Sequence, residues 1–112
     1  MNFNQNGGAL SNRSKKLFLS ITASANSLMQ NFGIDPFMCA ASTRLYFLAI
    51  AADGAGKPSL AQNYRTRLFN RYMDEKNYGL AESFALQNDM GEEAKTAAVQ
   101  RAVSLNMHGT KI

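Results

Sequence analysis

Apolar residues recur along most of this chain with the period of a helix. Leu17, Ile21, Ala25, Leu28 and Phe32 follow one another at steps of three or four, which puts them on one face of a helix over 12–32. Ser11, Asn12 or Ser14 can cap its start, and Gly33 sits where it would stop. A second helix is predicted from Asp35 as N-cap and Pro36 at the first helical position, where a missing N–H costs nothing. Its run 37–52 is apolar nearly all round, the pattern of a helix enclosed by its neighbours.

Residues 53–58, Asp-Gly-Ala-Gly-Lys-Pro, read as a loop. Ser59 then caps a third helix reaching about Tyr78, with Tyr64, Leu68 and Tyr72 in one stripe. Gly79 ends or bends it. A short helix over 80–90 stops at Gly91, and a last one covers 92–106 with Glu92 and Glu93 at its positive end. Ala94, Ala98, Ala102 and Leu105 give that helix a small-residue stripe. Its spacing of eight between Ala94 and Ala102 does not match a tetratricopeptide repeat, so an ordinary helical hairpin is expected. Residues 1–11 are polar and aperiodic and read as a flexible arm, and 109–112 as a tail.

Composition supports the same fold class. Sixteen alanines, 11 leucines and six methionines stand against two valines and four isoleucines. Unbranched side chains lose little entropy in a helix, whereas β-branched ones favour strands. The expectation is an all-α protein: one domain over 12–108, a compact bundle of about five helices around the buried helix 37–52.

Charge and chemistry narrow the function. Cys39 is the only cysteine and His108 the only histidine, so there is no intrachain disulfide, no CxxC pair and no cysteine-rich zinc site. Cys39 falls on the apolar helix, where a thiol is inert. No catalytic residue, metal site or cofactor is expected. The Gly-Ala-Gly-Lys-Pro-Ser run at 54–59 lacks the P-loop spacing and reads as loop plus cap. Residues 28–39 have the outline of a helix-turn-helix, but its second helix would offer Phe37, Met38, Ala40 and Ala41 where base edges need polar groups. The cations before Leu17 imitate the start of a signal peptide, but the apolar stretch is very short and broken by Ser20. No segment suits a bilayer span, and a cytoplasmic location is expected.

The basic residues carry the remaining signal. Residues 1–78 hold nine Lys/Arg against four Asp/Glu, a net of +5, while 79–112 net −1. Lys15 and Lys16 lie near the start, and Arg65, Arg67, Arg71 and Lys76 follow helix three, with Tyr64 and Tyr72 interleaved. Arginine meets phosphate through paired hydrogen bonds and tyrosine stacks on bases. This pattern suggests a small accessory subunit of a nucleoprotein assembly, binding through that face. The alternative is a protein-interaction module, such as an adaptor or a mobile-element-encoded inhibitor, with no nucleic-acid contact of its own. Only 18% of residues are charged, and methionine, tyrosine and arginine are common at interfaces. Arg44 stands inside the most apolar helix, where it must reach the surface, pair with an acid or meet a partner.

Overall fold

Five α-helices account for most of the chain, and among the described residues there is no strand. The computed structural model describes the backbone of residues 12–109 and side chains over 12–106. The expected arm at 1–11 and residues 110–112 of the expected tail lie outside the described residues. Gly109 is the last residue of the last helix rather than the start of a tail.

The helices are α1 (Asn12–Asn31), α2 (Ala41–Gly54), α3 (Pro58–Asp74), α4 (Tyr78–Gln87) and α5 (Gly91–Gly109). The fold is all-α, as the residue pattern predicts. Two compact units divide it, residues 1–64 and 65–112, and the division falls inside α3.

One device ends four of the helices. At each stop a residue with positive φ turns the chain, and the N–H of the following residue reaches back to the carbonyl five positions earlier. Ile34 N–H donates to Met29, Lys57 to Ala52, Asn77 to Tyr72 and Met90 to Ala85, at 2.8–2.9 Å. These bonds satisfy carbonyls that a helix end would otherwise orphan. The turning residue is Gly33 after α1 and Gly56 after α2, but Lys76 after α3 and Asp89 after α4. The glycines expected to break helices do not: Gly79 is the second residue of α4 and Gly91 the first of α5.

In the first unit α1 packs against α2. Ile21, Ala25 and Met29 form the buried stripe of α1. Phe32, expected to continue it, lies past the helix end and is 72% exposed. Helix α2 buries Leu45, Phe47, Leu48, Ala49, Ala51 and Ala52, leaving Tyr46, Ile50 and Asp53 as its open edge. That is the enclosed helix the apolar run implies. Its start differs from expectation by several residues. Asp35 and Pro36 open a turn instead of the helix, and the first intrahelical bond runs from Arg44 N–H to Ala40. Helix α3 opens with Pro58 at its first position rather than with Ser59 as cap, and Lys57 accepts the first backbone bond.

In the second unit α4 packs against α5. Ala81, Phe84 and Ala85 of α4 and Ala94 and Ala97 of α5 are buried, with Met90 between them. Tyr72 of α3 meets Phe84 edge-on, with ring centroids 5.7 Å apart. Arg101 grips Glu82 with two hydrogen bonds to Oε1, at 3.0 and 2.7 Å.

Candidate protein-interaction surface

The connection between α1 and α2 is short, braced and apolar at its tip. Asp35 Oδ1 accepts the Phe37 N–H at 2.9 Å, and Asp35 O accepts the Met38 N–H at 3.1 Å. Asp favours such turns because its side chain can replace a backbone acceptor. Pro36 is buried beneath the turn and fixes its φ. Arg44 then ties the turn to α2: Nη2 donates to the Pro36 carbonyl, and Nη1 to Asn26 Oδ1 on α1 at 3.4 Å. Cys39 Sγ lies 3.5 Å from the same carbonyl and 3.7 Å from Met29 Sδ. Cys39 therefore belongs to the turn and is half-buried, rather than lying on the apolar helix.

On this braced turn Phe37 is 85% exposed and Met38 81% exposed. Both were expected inside helix two. They are outside because the helix begins only at Ala41, so the helical period that would turn them inward does not reach them. Single exposed apolar residues are ordinary, whereas here two large ones stand side by side on a braced turn. The same connection begins with exposed Phe32, whose ring lies 5.7 Å from that of Phe47. Tyr46 meets Phe47 edge-on at 5.3 Å.

Arg44 resolves its own difficulty by a route the sequence leaves open only in part. It neither pairs with an acid nor simply reaches water. It spends its donors on a backbone carbonyl and an amide oxygen, which a planar guanidinium can do at once.

Within α3 the arginines and tyrosines differ in side and in burial. Arg67 and Arg71 are exposed on one side of α3, four residues apart. Asn63, Asn70 and Asp74 share that side, so its net charge is small. Arg65 is half-buried and lies about 200° around the axis from Arg67, given 3.6 residues per turn. Tyr64 is 3% exposed and belongs to the core, so its ring cannot stack on a base. Tyr72 is half-buried with its ring against Phe84. Lys76 is exposed and terminates α3. Lys15 and Lys16 are exposed on the first turns of α1, in the other unit. A stripe of Tyr64, Leu68 and Tyr72 is core spacing, and that period distinguishes it from a stacking surface.

Among the described residues no three His, Cys, Asp or Glu side chains gather as metal ligands. His108 lies in the last turn of α5, outside the residues whose side chains are described. No helix of the described residues is long and apolar enough to cross a membrane. No family model, curated protein or solved structure matches the chain.

Proposed function

We propose that the protein is a non-enzymatic interaction module that docks on a protein partner through the turn at 35–39. The observation that carries this reading is the exposed Phe37–Met38 pair on a turn braced by Arg44. A side chain held ready by its own scaffold loses little entropy on binding, so more of its apolar burial becomes affinity. Aromatic side chains with such support anchor interfaces, and methionine adapts to an irregular pocket. The partner it suits has an apolar pocket at its contact surface.

The test is affinity capture from the source cells with the whole chain and with a Phe37→Ser/Met38→Ser double variant. Both substitutions fall on exposed side chains, so the helical circular dichroism should not change. A protein retained after nuclease treatment and lost with the double variant supports the reading. The same protein retained by both forms, or only nucleic acid recovered, overturns it.

The nucleoprotein reading keeps one specific support, the shared exposure of Arg67 and Arg71. It is the weaker of the two, because Asp74 shares that face and neither Tyr64 nor Tyr72 offers an open ring. Fluorescence titration of single- and double-stranded oligonucleotides at low salt tests it directly.

A further inference from the structure

The first turns of α1 carry charge and apolar surface that the fold does not use. Arg13, Lys15 and Lys16 lie there, and the chain has no Asp or Glu before Asp35. Cations at the start of a helix stand at the positive end of its dipole, an arrangement that costs stability rather than adding it. Among the described residues no ion pair engages any of the three. Over residues 12–20 only Leu17 is even half-buried, and the first buried side chain of α1 is Ile21. Leu19 is 64% exposed and Phe18 50%. Residues three and four apart are neighbours on a helix, so Leu19 lies beside both Lys15 and Lys16, and Phe18 beside Lys15. Two lysines and two large apolar side chains thus share one open patch.

We infer that this patch binds the surface of an anionic membrane. Such a surface supplies both halves of the complement at once, headgroup phosphates for the cations and acyl chains just beneath for Leu19 and Phe18. At 100° per residue, Lys15 and Lys16 flank Leu19 on either side. A helix lying in the headgroup layer with Leu19 downward therefore has an ammonium on each flank, and the lysine stems follow the apolar surface while their charged ends stay among the phosphates. A nucleic acid matches the patch less well. Its phosphates suit the cations and its bases suit Phe18, but Leu19 has no π face to stack and would stay in water. The contact is peripheral, because no helix of the described residues is long and apolar enough to cross a bilayer.

Co-sedimentation of the whole chain with lipid vesicles tests the inference. The chain should bind vesicles of phosphatidylglycerol mixed with phosphatidylcholine and leave those of phosphatidylcholine alone. Lys15→Glu/Lys16→Glu should weaken binding by about tenfold or more, since two attractions to the surface charge become repulsions. The chain has no tryptophan, so Leu19→Trp places a single fluorophore in the patch. Its emission should shift to the blue with the anionic vesicles as the indole leaves water. All three positions are exposed, and circular dichroism of each variant should match the parent. Failure to bind the anionic vesicles overturns the inference, as does binding that survives Lys15→Glu/Lys16→Glu or a bound Leu19→Trp chain with unshifted emission. So does a duplex oligonucleotide that displaces the chain from the vesicles at equal phosphate, the outcome a nucleic-acid contact predicts. The Phe37→Ser/Met38→Ser variant should bind vesicles like the parent. A loss there would move the contact to the turn at 35–39 and overturn its assignment to α1.

Discussion

Arg44 shows what one charged residue can do inside an apolar segment. Its guanidinium is satisfied by Pro36 O and Asn26 Oδ1, two neutral acceptors on the chain before α2. Arg44→Met keeps the apolar stem but removes every donor, and it leaves the Pro36 carbonyl without its strongest partner. We expect a loss of about 1–3 kcal/mol by urea unfolding, the range for leaving a part-buried polar group unmet. Arg44→Lys should recover only part of it, because an ammonium cannot span two acceptors with a fixed fork. Equal stability of parent and Arg44→Met would show that the brace is idle. Lys76 makes the opposite case. Its φ of 60° is a left-handed conformation that costs a non-glycine residue about 1–2 kcal/mol. Lys76→Gly should therefore stabilise by about 0.5–1 kcal/mol, after allowance for the extra freedom glycine has when unfolded. A lower midpoint in thermal unfolding would contradict this. The helix stops at Gly33 and Gly56 are legible in the sequence because glycine is the residue that turn needs. The stop at Lys76 is not, since lysine does not advertise a positive φ, and Asp89 signals its own only weakly, as aspartate takes that conformation more readily than most residues but is commoner elsewhere.

At the scale of the element, α2 and α3 show where a pattern informs and where it misleads. The apolar run correctly marks α2 as enclosed. It does not mark where α2 begins, because Asp35-Pro36 is equally good chemistry for a helix start and for a side-chain-capped turn. That ambiguity hides Phe37 and Met38, the most exposed large apolar side chains among the described residues, inside a supposed core. In α3 the tyrosines and arginines look interleaved along the sequence, but their surroundings differ. Tyr64 goes to the core, while Arg67 and Arg71 stay in water. An Arg67→Ala/Arg71→Ala variant should keep full helicity, since alanine is the better helix former. If the chain binds duplex nucleic acid through this face, the slope of log affinity against log salt should fall by about 0.9 for each phosphate contact removed. With Asp74 on the same face, we expect the slope to be shallow from the outset and the double variant to change partner capture little.

The boundary between the two units of the molecule falls inside one helix. Tyr64 is the last residue of the first unit and Arg65 the first of the second, yet α3 runs unbroken from Pro58 to Asp74. Its buried residues are divided as well: Ala61 and Tyr64 fall before the boundary, Leu68 and Phe69 after it. The parts of α3 on either side of the boundary, 58–64 and 65–74, are each too short to hold a helix in water without support. Loss of one unit therefore shortens the helix on which the other depends, and units of this size have little stability to spare. We expect one cooperative transition rather than two. Leu48→Asp tests it, because a carboxylate at this buried position of α2 is taken out of water and should unfold the first unit. Hydrogen exchange should then lose its protection not only in α1 and α2 but through α3 into α4 and α5. If Leu48→Asp leaves the α4–α5 amides as protected as in the parent, the second unit holds its own half of α3 and folds independently. A Leu48→Asp chain that folds normally would instead remove α2 from the core.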